Sequence, residues 1–232
     1  MGRATAVRLA ADGHRVLVVG RRRPQLEETA AAAPGSIVPL PADLRTVAGA
    51  ETVVEWVRAQ PDPAVDVVVA AAGGRSAVPT DDASLEELAT VWRDTLDLNL
   101  MTAVLLVEGL APLLRKGAAV VLVSSTGVYH TGARPPYGAA KAALHGYVVA
   151  LAHRLGADGV TVNAVVPGYV PDTEFFGGGL DPARHEALVA QTALGRAGTS
   201  EDIASLISWL ANENRWTTAQ MISPNGGTVA GR

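Results

Sequence analysis

The chain has 232 residues, 48% hydrophobic and 18% charged, with 24 glycines and a formal net charge of −4. That length fits one α/β domain, the composition is that of a folded globule, and the acidic balance excludes the whole-molecule basic field that nucleic acid or an anionic membrane needs. With no cysteine, disulfides, thiol nucleophiles and cysteine metal sites are excluded as well.

No apolar run approaches the ~20 residues of a membrane helix. Asp12 arrives too early for a secretory apolar region, and Ala6 stands where a myristoylation signal wants Ser or Thr. The expected location is the cytoplasm, with no membrane or nucleic-acid partner. Of the 19 basic residues only Lys116 and Lys141 are lysine, leaving 17 arginines, so a lysine kept amid that bias draws attention.

In chain order, GRATAVRLAADG reads as a helix, with Gly13 suited to the position just past its end. HRVLVVG is a continuous apolar strand of the parallel-sheet kind. Pro24 starts a helix through QLEETAAAA, SIVPL is a short strand, and TVAGAETVVEWVRAQ is an amphipathic helix ended by PDP. VDVVVAAAGG supplies the next strand and a glycine turn; a helical region follows over 84–116, then strand AAVVLVSS, helix PPYGAAKAALHGYVVALAHRLG and strand VTVNAVVPG. Residues 170–198 interrupt the alternation with a long, glycine-rich connection that reads as a substrate lid. SEDIASLISWLAN and AQMISPNGG close the chain as helix and strand. Alternating strands and helices predict right-handed β-α-β units, hence one doubly wound parallel sheet over 1–232 with its site at the carboxyl ends of the strands.

Chemistry concentrates in SSTGVYHTGARPPYGAAK. Ser124 ends an apolar strand, and Tyr137 and Lys141 are i and i+4 on the following helix, so they share a face. A phenol titrates near ~10 and is a poor acid-base group at neutral pH, but a neighbouring ammonium lowers that value.

These residues resemble the short-chain dehydrogenase/reductase family over essentially the whole chain. Tyr137-Gly-Ala-Ala-Lys141 is similar to its Tyr-x-x-x-Lys signature, with Ser124 at the family's usual 13-residue separation. Asn99 in DLNL, NAVVPG ending at Pro167 and Gly168, Asp43-Leu44 after the third strand, and PNGG near the end also match. The resemblance implies that Tyr137 protonates a ketone oxygen as hydride arrives and Ser124 hydrogen-bonds that oxygen. It further implies that Lys141 holds the nicotinamide ribose and lowers the Tyr137 pKa, while Asn99 fixes a relay water. A cofactor site would include Gly2, Ala71, Ala72, Gly73 and Val170 besides these residues. At the end of the second strand Gly20 replaces the family's acidic residue, and Arg21, with Arg22 and Arg23 behind it, can meet a 2′-phosphate, favouring NADP(H) over NAD(H).

Tyr129, His130, Tyr169, Phe175 and Phe176 are candidates for the substrate pocket, and are equally explicable as core or lid packing. His185-Glu186 does not continue into a zinc motif, so no catalytic metal is expected, and no G-x-S-x-G elbow is present. Two departures stand out: Ala70-Ala71-Ala72-Gly73 replaces the family's Asn-Asn-Ala-Gly, and Ala219 replaces a usual glycine.

The opening helix resembles the one that follows the family's glycine-rich turn, with Gly2 as its last glycine. The first strand and most of that turn are expected to be missing from this sequence, leaving two inner sheet edges unpaired. The implied protein is an NADPH-dependent ketone reductase or alcohol dehydrogenase, with a 3-oxoacyl-thioester-like substrate as the specific expectation, working as a homo-oligomer (dimer or tetramer). Two alternatives stay open: a non-catalytic or cofactor-impaired chain acting through oligomerisation, and an epimerase or dehydratase.

Overall fold

A computed structural model describes residues 1–75, 77, 80, 82–129, 134–173, 175 and 180–230. Helix α1 (Gly2–Ala11) leads into β1 (Val16–Gly20), α2 (Arg23–Ala31), β2 (Ile37–Pro41), α3 (Val47–Arg58) and β3 (Val65–Ala70). Then come α4 (Leu85–Leu96), α5 (Thr102–Leu110), β4 (Leu114–Val123), α6 (Pro135–Leu155), β5 (Thr161–Val165), α7 (Pro182–Val189), α8 (Ser200–Asn212) and β6 (Met221–Ile222). Local signals set these ends: Thr46 accepts from the Gly49 N–H at 3.1 Å to cap α3, Ser84 and Glu87 form a capping box on α4, and Pro135 and Pro136 open α6.

All strand pairs are parallel, in two ladders: β1-β2, and β3-β4-β5-β6. Among the described residues no ladder joins β1 to β3. That is the place which the doubly wound order 3-2-1-4-5-6 assigns to a first strand, so the sheet falls into two pieces where the sequence anticipates.

Alternation along β4 shows why helices cover both faces. Val120 and Leu122 pack with Val53, Val107, Leu144 and Val148 from α3, α5 and α6. Val121 and Val123 pack with Ile203, Ile207 and Leu210 from α8. Successive strand side chains point to opposite faces, so a continuous apolar strand feeds two cores.

The structure differs from the sequence expectation at three elements. The helical region stops at Leu113, because β4 begins at Leu114 and pairs with Val65 across an irregular register. The connection over 170–198, expected as a lid, contains α7, and the last strand is only two residues long. The helical run Leu85–Leu113 is long and apolar enough, by length and composition, to cross a membrane, contrary to the expectation of no such segment. Its apolarity has a partner within the fold, since Ala103, Leu106, Val107 and Leu110 of α5 are buried in the core.

Candidate active site

The carboxyl ends of β3, β4 and β5 meet the π-helical turn between α4 and α5 and the first two turns of α6. Asn99 lies in that turn, Asp97–Met101, where a widened helix re-aims one side chain inward. It is 1% exposed; its Nδ2 donates to the carbonyls of Gly74 at 3.0 Å and Thr95 at 3.2 Å, and its Oδ1 accepts from the Gly74 N–H at 3.0 Å. The loop leaving β3 is therefore clamped by a side chain of the helix opposite. A Cβ on Gly73 would stand 2.9 Å from Asn99 Oδ1 and 3.2 Å from Lys141 Nζ, so glycine leaves the backbone open beside both groups.

Lys141 is 5% exposed, and burial pulls its ammonium down to about 8. Nζ donates to the Val123 carbonyl at 2.9 Å. An ammonium has three donors, so two further N–H groups have no partner among the described residues. Buried donors beside a bare glycine backbone fit the hydroxyls of a ribose, which supports a dinucleotide held here. Tyr137, one turn earlier on α6, is half-buried, and its ring lies 5.1 Å from that of Phe175 at 45°.

Two expectations for this cluster are corrected. Ser124 does not face Tyr137: its hydroxyl donates to the Lys141 carbonyl at 3.0 Å and lies 2.9 Å from His145 Nε2. Ser125 is the serine whose side chain comes near enough to the Tyr137 phenol to lower its pKa. Ser124 continues the face of Val120 and Leu122, and its hydroxyl is taken up by Lys141 and His145, one and two turns further along α6 than Tyr137. The second correction concerns acidity: burial pushes the Tyr137 phenol above its usual value, and the influence that lowers it is Ser125, with Lys141 directed to a backbone carbonyl instead.

Toward the adenosine end, Gly2 packs on Ala71, where an added Cβ would meet Ala71 Cβ at an ordinary 3.6 Å. The Ala72 carbonyl accepts from Thr102 Oγ1 at 3.5 Å. Arg21 and Arg22 are exposed beyond β1; Arg23 pairs with Glu27 and Arg3 with Glu28. Asp43 is engaged by Arg45, whose Nε and Nη2 lie 3.0 and 2.6 Å from its two oxygens; with Arg21 nearby, its carboxyl is held down to about 2. Sequence reasoning missed Arg45 because a residue two positions along a turn carries no periodic signal. The Leu44 side chain is buried in the core.

At the end of β5, the Pro167 carbonyl accepts from the Thr126 N–H at 2.9 Å, tying this strand to the Ser125 loop. Gly168 is required by close approach, since a Cβ there would meet Asn225 Cα at 2.8 Å. Val170 is buried against α8. Among the pocket candidates, Phe175 covers Tyr137, Tyr129 packs on the core and on His145, and the Tyr169 hydroxyl pairs with His185 Nδ1 at 2.8 Å. His130 and Phe176 lie outside the described residues. Among those described, no cluster of side chains suits a metal ion.

A family model described as enoyl-(acyl carrier protein) reductase matches residues 1–229. Tropinone reductase-like 3 from Erythroxylum coca is 38% identical over 71% of this chain, which spans 63% of that relative. The monensin polyketide synthase putative ketoacyl reductase of Streptomyces virginiae is 30% identical over 98% of this chain and 92% of its own. A crystal structure of a short-chain dehydrogenase/reductase from Brucella melitensis superposes with a TM-score of 0.89 at 28% identity, covering 99% of this chain and 92% of that one. With a family match running almost end to end and a likeness in fold just as extensive, the chain belongs to the short-chain dehydrogenase/reductase family of NAD(P)-dependent oxidoreductases.

Proposed function

We propose that the protein reduces a ketone to a secondary alcohol with NADPH, the Tyr137 phenol giving its proton to the ketone oxygen. The observation that carries this reading is the meeting of Asn99 and Lys141 at the bare backbone of Gly73, with Tyr137 one turn before Lys141 on α6 and Ser125 beside its phenol. The nicotinamide supplies hydride when bound. Ser125 orients the phenol and shares the ketone oxygen, Lys141 holds the ribose with its spare donors, and Asn99 keeps the β3 loop in place. A phenol held above its usual value remains protonated at neutral pH, as an acid for reduction must.

NADP(H) is favoured because Arg21 stands exposed beyond β1, with Gly20 where an acidic selector of NAD(H) would sit. Arg45 neutralises Asp43 and leaves the field at that end positive. The names of two relatives, a tropinone reductase-like protein and a putative ketoacyl reductase, support a ketone, and the second fits a 3-oxoacyl thioester. The exposed apolar side chains Leu85, Trp209 and Trp216 suit a homo-oligomer.

The test is calorimetric titration of the folded chain with NADPH and NADH, with circular dichroism as the control for folding, followed by a ketone screen. NADPH-selective binding with turnover supports the reading. A folded chain that binds neither nucleotide is instead the non-catalytic alternative.

A further inference from the structure

Strand β4 and helix α6 are joined by a closed ring of hydrogen bonds that takes no direct part in ketone reduction. Ser124, 4% exposed, donates to the Lys141 carbonyl at 3.0 Å, and its Oγ lies 2.9 Å from His145 Nε2. A hydroxyl carries one proton. With that proton on the carbonyl, the bond to His145 is donated by Nε2–H, which fixes the imidazole in one tautomer. Burial pushes His145 below the usual histidine value, so the ring is neutral. Lys141 and His145 are i and i+4 on α6, so the helix closes the ring through the same carbonyl. The Tyr129 ring packs on the imidazole with centroids 5.9 Å apart.

Each arm of this ring ends next to a site residue. The gripped carbonyl belongs to Lys141, Tyr137 lies one turn earlier, and Ser125 is bonded covalently to Ser124. Polar contacts weaken steeply with misalignment, so slippage between β4 and α6 would draw Ser125 away from Tyr137.

We propose that His145 is a positioning residue: through Ser124 it clamps the Lys141 turn of α6 to the end of β4 and so holds Ser125 against Tyr137. The inference rests on the reading of Tyr137 as the proton donor. His145 touches no reacting atom in this arrangement; it acts entirely through Ser124.

The experiment compares Ser124→Ala, His145→Leu and His145→Gln with the unaltered chain. Thermal unfolding checks the fold, an ultraviolet titration of the free chain follows Tyr137 by difference from Tyr137→Phe, and steady-state kinetics follow ketone reduction. Ser124→Ala and His145→Leu are expected to raise the Tyr137 titration by roughly one pH unit, because Ser125 is no longer held beside the phenol. They should also lower kcat about tenfold while KM stays within about twofold, as expected when reacting groups are misplaced rather than removed. His145→Gln keeps an N–H donor at similar reach and is expected to restore kcat to within about threefold.

If His145→Leu does not fold, Ser124→Ala and His145→Gln decide the matter. Folded variants with an unchanged Tyr137 titration and unchanged kcat overturn the clamp, as does a Gln variant no better than Leu. A titration shift rescued by Gln in a chain that reduces no ketone upholds the clamp and overturns the reductase reading instead.

Discussion

Ser125 stands beside the Tyr137 phenol and lowers its pKa, while the adjacent Ser124 turns its hydroxyl into the junction of β4 and α6. Ser125→Ala is accordingly expected to lower kcat by about 10²-fold, the usual loss when one donor to a reacting oxygen is removed. Ser124→Ala should cost about tenfold, acting only through position. Steady-state kinetics of the two variants against one ketone check the order; equal or reversed losses would restore the serine that the 13-residue spacing favours.

Tyr137→Phe is expected to remove about 10²–10⁴-fold of the reduction rate while leaving thermal unfolding in place, since the ring and its contact with Phe175 persist. The pH dependence follows from the direction of the shift. Reduction consumes the protonated phenol, and burial raises its pKa above the ordinary 10.0, so kcat should hold through neutral pH and fall only beyond the usual phenol range. A basic limb near neutrality, abolished in no variant but Tyr137→Phe, would show that the phenol is acidified instead.

Lys141 links pH to stability. Its folded value of about 8 lies below the ordinary 10.5, so between those limits the unfolded chain binds more protons and this residue's contribution rises with pH. The full window corresponds to about 3 kcal/mol for a group so buried. Urea unfolding of the unaltered chain and of Lys141→Met, at pH 7.5 and pH 10, should show their difference moving in favour of the unaltered chain at the higher pH. A constant difference would mean that Lys141 is better solvated than its burial implies.

Arg21→Ser is expected to weaken NADPH binding about 10–100-fold and leave NADH binding unchanged, because a charge-assisted bond to a 2′-phosphate contributes about 1.5–3 kcal/mol. Calorimetry with both nucleotides reads this directly. Equal effects on the two would assign Arg21 to the shared part of the cofactor.

Ala219 has φ 58°, the left-handed region that favours glycine, and its N–H donates to the Val162 carbonyl at 2.8 Å. Ala219→Gly should therefore stabilise the protein by about 1 kcal/mol, seen as a higher denaturation midpoint. No gain would indicate that added freedom in the unfolded chain offsets the relieved strain.

The sequence by itself determined the alternation of strands and helices, the two-faced sheet, and the placement of Tyr137 and Lys141 on one face of α6, because each depends on local periodicity: 3.6 along a helix, 2 along a strand. It also located the break between β1 and β3, since strand order follows from chain order in doubly wound sheets. Asn99 was legible as part of a motif, although the π-helical turn that aims it was not. Only the tertiary structure decided which serine lies beside Tyr137, that Arg45 occupies the Asp43 carboxylate, and that burial raises the pKa of the phenol. These outcomes depend on which groups from distant segments fill the same few ångströms. Distance across a fold, unlike periodicity along a chain, leaves no mark in the spacing of residues.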